Sequence, residues 1–426
     1  MQQHWKRLAD GVELAVCRTD KFKTGLLSVT LTIPLSGDTA TAGALIPEVL
    51  GRGSRNYPDM EKLSAAADRL YGASLGPVVR QRGESQCISF MCGFIDDRYA
   101  LDGSAVLEPA AALTGEALLD PAVQDGVFRR DYVESEGANL ADRIQARIND
   151  KRDWAMFRLI QEMCGREAYA VDKLGSEEKA RAMTPDRLWA DYQALLSGGK
   201  VTFYYGGAAS PERVEDAVRR SFAPLLTGRT APVECQVVSE PKGPVRTVVE
   251  AMDVTQGKLA MGFRTGGVTA ASPDYPAMLV CNTLFGGSAN SRLFSNVREK
   301  LSLCYYASSA LDKIKGLMAV SSGVEFAQFD RAQEAILEQL EAVRGGKFTR
   351  DEFTAAVRVA ANHLRSRPDN QGMLEDDQLT RLLFHAHEDR EDLIRSVEAV
   401  KPNQVAEAAR KLKLDTVYRL IGKEGA

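Results

Sequence analysis

Histidine is scarce in this chain: His4, His363, His385 and His387 are the only four among 426 residues. His4 alone precedes His363, which excludes a paired-imidazole zinc site anywhere in the earlier part of the chain. The seven cysteines (Cys17, Cys87, Cys92, Cys164, Cys235, Cys281 and Cys304) are odd in number and scattered, with no C-x-x-C. That excludes a zinc ribbon and argues against a disulfide frame; buried thiols in a reducing compartment are the expectation. Neither sign of charge dominates, since 54 Lys and Arg against 58 Asp and Glu leave a net charge of −4, so no polyanion-binding tail is present. No run approaches the ~18 apolar residues that a spanning helix needs, and the opening Met1-Gln2-Gln3-His4-Trp5-Lys6 has no apolar core of a signal peptide. A soluble, cytoplasmic protein with no membrane partner is therefore expected. The three tryptophans, Trp5, Trp154 and Trp189, stand apart and read as core or interface anchors. With no basic stripe beside them, nucleic-acid binding is disfavoured.

What is present is a repeat. The length suits two domains of about 200 residues each, and the two halves carry matching signals. Val29, Leu31 and Ile33 alternate with Ser28, Thr30 and Thr32; in the second half Leu259, Met261 and Phe263 alternate with Lys258, Ala260 and Arg264. Both have the period of two that marks a half-buried strand. The halves also end alike. Thr184-Pro185-Asp186 opens a helix leading to the strand Val201–Tyr205 and Gly206, and Lys401-Pro402-Asn403 opens one leading to Val417–Ile421 and Gly422. Proline suits the first helical turn, where its missing N–H had no partner to lose.

Between the halves, residues 225–245 are rich in proline and glycine without helical period, which predicts domains at 1–228 and 246–426 joined by a linker at 229–245. Within the first domain, Asp59 to Leu70 reads as a helix stopped by Gly72, and Leu75–Gln81 and Gln86–Phe94 as a hairpin turned at Arg82-Gly83-Glu84. Residues 101–118, 123–149 and 152–164 then read as helices. The second domain repeats the mix, with a helix over Pro273–Leu284, strands over Tyr305–Leu311 and Leu317–Val324, and helices from Phe329 onward. Strands and helices in separate runs predict an α+β fold: two tandem homologous domains, each a mostly antiparallel sheet packed against helices.

The most specific segment is Leu284-Phe285-Gly286-Gly287-Ser288-Ala289-Asn290-Ser291-Arg292-Leu293-Phe294, followed by Val297-Arg298-Glu299-Lys300-Leu301-Ser302-Leu303-Cys304-Tyr305. No Gly-Lys-Ser/Thr follows the glycines, so a P-loop is excluded. The composite of glycine turn, Ser-Arg-Leu step and Arg-Glu-Lys leading to Leu-x-Tyr resembles the M16 metallopeptidase family of pitrilysin, insulinase and the processing peptidases. The resemblance covers essentially the whole chain and implies pairs of α+β halves enclosing a chamber.

In that family the first half carries His-x-x-Glu-His on a helix. Histidines at i and i+4 share one face and hold zinc, the glutamate between them activates the bound water, and a downstream glutamate completes the site. Counting back from Gly53-Ser54, the five positions fall here on Ala44, Leu45, Ile46, Pro47 and Glu48. Both histidines are gone and the general base is a proline. Aligning the helix that contains Glu136 and Ile144 puts Arg143 at the third zinc ligand, with Asp125 and Glu134 as other carboxylates that the longer spacing leaves open. No metal or other cofactor is expected. The resemblance assigns a surviving role to Arg298 and Tyr305, which match the arginine and tyrosine that bind the substrate backbone and support its carbonyl oxygen as charge develops. Some members of the family work as paired subunits, one with the zinc motif and one with the arginine and tyrosine. This chain is similar to the second kind, which implies a zinc-bearing homologue, or a second copy, as partner and extended peptides as ligands.

Two further readings belong to other classes: a scaffold, alone or as a homodimer, that adds peptides to a sheet edge without cutting them, and an enzyme with a metal site rebuilt from carboxylates such as Glu48 and Asp125. His385 and His387, two apart on a helix, point away from each other and cannot share one ion. His363 reads as a solvated helix residue, and the pairs Asp96-Asp97 and Asp376-Asp377 as solvated surface.

Overall fold

The computed structural model describes residues 2–229, 235–384 and 389–423. The first half of the chain forms β1 (Gln2–Ala9), β2 (Val12–Arg18), β3 (Thr24–Pro34), α1 (Ala40–Leu50), α2 (Met60–Asp68), β4 (Ser74–Arg82), β5 (Ser85–Ile95), α3 (Leu107–Leu119), the two-residue strands β6 (Val123–Gln124) and β7 (Val127–Phe128), α4 (Arg130–Ala146), α5 (Lys151–Met163), α6 (Glu177–Arg181), α7 (Pro185–Gly198), β8 (Lys200–Gly207) and α8 (Pro211–Ser221). The second half forms β9 (Arg246–Met252), β10 (Gly257–Arg264), α9 (Tyr275–Phe285), a π-helical segment Leu293–Lys300, β11 (Cys304–Asp312), β12 (Leu317–Val324), α10 (Phe329–Arg344), α11 (Arg350–Ser366), α12 (Gln371–Phe384), α13 (Arg390–Glu398), α14 (Pro402–Lys411) and β13 (Lys413–Gly422).

The duplication is visible in the sheets. One runs β1-β2-β8-β3-β5-β4 and the other, read from its far edge, β9-β13-β10-β12-β11. From β2 onward they correspond strand for strand: an early strand lies parallel to the last strand of its half, the last lies antiparallel to the central strand, and a hairpin completes the sheet. The shared Pro signal sits where expected, with Pro185 and Pro402 opening α7 and α14 and Thr184 Oγ1 accepting from the Arg187 N–H at 3.3 Å. Two predicted helices are shorter than read: the one expected over 101–118 begins at Leu107, and the one expected over 123–149 begins at Arg130. The Asp125-Gly126 dipeptide adopts left-handed φ angles of 54° and 83°, which closes the β6–β7 hairpin and holds the helix back to Arg130.

The compact units are not contiguous stretches of chain. One comprises Met1–Gln145, Val171–Glu234 and Pro368–Phe384; the other comprises Ala146–Ala170, Cys235–Arg367 and His385–Ala426. Each half therefore contributes one helix to the other half's unit, α5 to the second and α12 to the first. This explains why the alternating strands are buried on both faces rather than one. Val29 and Leu31 of β3 enter the core with α1 and α3, while Ser28, Thr30 and Thr32 on its other face are covered by α12. In the second unit Leu259, Met261 and Phe263 face the main core; Ala260 packs with Ala155 and Leu159 of α5, and a Cβ on Gly262 would come within 2.5 Å of Met163 Sδ.

Buried charge pins both exchanged helices. In the first unit Glu375 of α12, 1% exposed, accepts from Arg80 Nη2 at 2.8 Å and from Ser28 Oγ at 3.1 Å, and Arg82 Nε reaches Asp376 at 3.0 Å. Asp376 is thus a tether to β4, not solvated surface. In the second unit Glu167, just beyond α5, accepts from Arg264 Nη2 at 2.8 Å and from Lys315 at 2.7 Å, both cations being buried. Burial alone would raise the Glu167 pKa, but Arg264 and Lys315 outweigh it and hold the carboxyl below its ordinary value. A depressed folded pKa contributes stability that is present above the unfolded value of about 4.3 and is lost as pH falls through the folded one. Glu167→Gln is accordingly expected to cost about 3–5 kcal/mol near neutrality, because it leaves two buried cations short of a counter-charge. It should also flatten the acid limb of a pH series of urea melts. An unchanged midpoint at pH 7 would refute the assignment.

Candidate functional site

The first unit holds the four positions that the resemblance aligns with the zinc motif, Ala44, Pro47, Glu48 and Arg143. Ten of the eleven residues of α1 are buried, and only Glu48 reaches outward. Ala44 is fully buried against the sheet, so an imidazole there would overpack a closed core. Pro47 lies inside the helix and donates no N–H. Glu48 and Arg143 come together: Arg143 Nη1 of α4 donates to Glu48 Oε1 at 2.7 Å. A second bridge lies beside the first, from Arg52 Nη1 to Glu136 Oε1 at 2.9 Å, with Asn139 Nδ2 on the other Glu136 oxygen at 3.0 Å and the Arg52 guanidinium 4.9 Å from the Tyr132 ring centroid. Two arginines thus neutralise two carboxylates where α1 meets α4. A guanidinium has five donors and no lone pair to give a metal.

The alternative carboxylates do not converge on this place. Asp125 occupies the exposed β6–β7 turn, and Glu134 pairs with Arg130 one turn away at 3.6 Å. Among the described residues no group of three or more His, Cys, Asp or Glu side chains is arranged to hold a metal ion. His363 is exposed near the end of α11, and His385 and His387 lie outside the described residues. Asp96 is buried and caps a short 3-10 turn by accepting from the Arg98 N–H at 3.1 Å, while Asp97 binds Arg213 at 2.5 Å, so neither is a solvated acid. Cys87 and Cys92 are pushed up to about 11 by burial, and Cys164 and Cys281 to about 12, which leaves them unreactive thiols.

The second unit holds the long composite segment. Its glycines are packing residues. A Cβ on Gly286 would lie 2.8 Å from the Ser309 backbone nitrogen, which donates to the Gly286 carbonyl at 2.9 Å. Arg292 braces the segment by donating to Glu352 at 2.8 Å and Gln339 at 3.1 Å. Beyond Arg292 the backbone departs from regularity three times in succession. Leu293–Lys300 is π-helical, Ser302 takes φ 50°, and Tyr305 falls at a bulge where the β11–β12 register shifts between Cys304 and Tyr306. π-Turns and bulges are frequent where a side chain must be re-aimed.

Tyr305 emerges from these irregularities exposed, at 58%, and Arg298 half-buried, with 39% of its side chain exposed. The Arg298 guanidinium lies 4.6 Å from the Phe294 ring centroid and 3.3 Å from the Glu299 carboxylate; the Tyr305 hydroxyl donates to Glu325 Oε1 at 3.4 Å. Sequence reading passed over Phe294 and Glu325. Phe294 had a legible signal, its i,i+4 spacing from Arg298, whereas Glu325 meets Tyr305 only through strand pairing.

Comparison with known proteins places this geometry. The family described as "Peptidase M16 inactive domain" matches residues 182–359. The chain is 33% identical over 416 residues to the "probable inactive metalloprotease YmfF" of Bacillus subtilis, covering 98% of this chain and 97% of that protein. A conserved protein from Enterococcus faecalis superposes with a TM-score of 0.91 at 27% identity, covering 99% of each chain. A structure titled a peptidase M16 inactive domain, from Pseudomonas fluorescens, superposes at 0.80 with 17% identity over 99% of this chain and 98% of its own.

If the paired Glu48 and Arg143 have left no metal site, zinc titrated into the protein by calorimetry will show no saturable stoichiometric heat. Arg143→Ala should shift stability by no more than about 1 kcal/mol, since the pair is partly exposed. It should not create zinc binding; stoichiometric zinc on either protein would contradict the reading.

Proposed function

This chain belongs to the M16 peptidase family as an inactive homologue, and from that premise we propose that it serves as the non-zinc partner of a zinc-bearing M16 homologue. It completes a peptide-binding chamber in the complex and supplies Arg298 and Tyr305 to the substrate. One asymmetry carries this reading. Ala44 and Pro47 are buried in α1 and the Glu48 carboxylate is taken up by Arg143, while Tyr305 is exposed and Arg298 half-buried on an irregular, braced segment. A guanidinium and a phenol are donors suited to a peptide carbonyl and to the negative charge that grows on its oxygen during attack. The zinc-activated water would come from the partner; this chain would bind, orient and polarise.

No described helix is long and apolar enough to cross a membrane, and the buried cysteines suit a reducing compartment, so a cytoplasmic site of action is part of the proposal. A second reading, a scaffold that holds extended peptides without cutting them, draws support from β11, the outermost strand of its sheet and the strand that carries Tyr305.

The test is peptidase activity on an unstructured peptide pool, with the chain alone and then mixed with a zinc-motif homologue. Activity is expected only in the mixture. Arg298→Ala should lower kcat/KM by about 10²-fold, the order seen when one donor to a developing oxyanion is removed, and Tyr305→Phe by somewhat less. A mixture as active with Arg298→Ala as without it would end the catalytic reading. Silence throughout, with peptide retained on the protein, would favour the scaffold.

A further inference from the structure

We infer that Phe294 is a positioning residue that seats the Arg298 guanidinium for ligand binding, an inference that rests on the reading of Arg298 just given. The observation is the Arg298 guanidinium carbon lying 4.6 Å over the centroid of the Phe294 ring within the π-helical segment. Arginine carries many rotamers, and holding one guanidinium in place for a ligand costs entropy at the moment of binding. A ring beneath it removes much of that freedom beforehand. The ring also covers a face of the guanidinium, the part that makes no hydrogen bonds, and leaves its edge N–H groups free for a planar acceptor. The acceptor class is therefore an in-plane oxygen, a peptide carbonyl or a carboxylate.

Phe294 is itself fixed. Its backbone N–H donates to Ser291 Oγ at 3.4 Å, its neighbour Leu293 is fully buried, and Arg292 ties the start of the segment to α10 and α11. The other partner of Arg298, Glu299, is more than half exposed and adjacent in sequence. Such a pair is weak and exchangeable. In the free protein Glu299 occupies the guanidinium edge that a ligand oxygen would take, while the ring holds the opposite constraint unchanged in both states.

A pair of measurements separates this inference from the reading beneath it. In the reconstituted complex, Phe294→Leu is expected to raise KM about two- to fivefold with kcat little changed, the size of an exposed cation–π contact, and Phe294→Tyr to restore it. Added to Arg298→Ala, Phe294→Leu should have no further effect; a role in packing alone would instead give additive losses and overturn the inference. On the isolated chain, the Arg298 Nε–H resonance should carry a ring-current shift that Phe294→Leu abolishes and Phe294→Tyr keeps. An unmoved resonance overturns the inference even if Arg298 proves essential. A shift that disappears in the variant, with Arg298→Ala fully active in the complex, overturns it from the other side, because the seat then serves no ligand and the reading of Arg298 has failed as well.

Discussion

The buried carboxylates at the two crossing segments are the constraint on which the rest of this structure depends. A duplicated chain has two similar sheets and two similar helices that could cover either of them. Apolar packing does not decide the matter, since α5 and α12 both offer alternating aliphatic residues to a sheet face. Charge does. Glu375 and Asp376 find Arg80 and Arg82 in the first unit, whereas Glu167 finds Arg264 and Lys315 in the second. A buried carboxylate without its cation is costly enough that each segment has one low-energy home. Such pairs add little net stability over a well-packed apolar surface; what they contribute is the choice between alternatives that apolar contacts leave nearly degenerate.

The positions aligned with the metal motif carry structural duties of their own. With α1 sealed into the core by ten buried residues and α4 tied to its end by Arg143 and Arg52, the unit has cross-links of its own where a zinc ion would otherwise supply one. Ala44 and Pro47 are then compatible with a stable fold. These positions offer no imidazole, and the guanidinium of Arg143 has no lone pair for a metal.

Much of the fold was legible from period and punctuation. The central strands, the Pro-opened α7 and α14, the β4–β5 hairpin at Gly83 and the duplication itself follow from local rules that the structure obeys. Two things were not legible. The exchange of α5 and α12 depends on pairings hundreds of residues apart, such as Ser28 with Glu375, and no local pattern announces them; the polar face of β3 therefore read as solvated when it is buried. The start of α4 was masked by helical periodicity running through Asp125-Gly126, where turn chemistry overrides it. At the site, the identities of Ala44, Pro47 and Glu48 could be read off directly, but the pairing of Glu48 with Arg143 needed three dimensions. So did the seating of Arg298 on Phe294, whose spacing was visible without its meaning.

The irregular backbone between Leu293 and Tyr305 is the strongest physical reason to regard the second unit as functional. A left-handed serine costs roughly 1–3 kcal/mol, and a π-helical turn and a bulge each give up regular hydrogen bonding over several residues. Here the net result of all three departures is to present one guanidinium and one phenol outward, each already held by a neighbour, Phe294 for Arg298 and Glu325 for Tyr305. In the first unit Ala44 and Pro47 are buried and Glu48 is paired with Arg143. The strain carried between Leu293 and Tyr305 supports the proposal that Arg298 and Tyr305 act on a ligand.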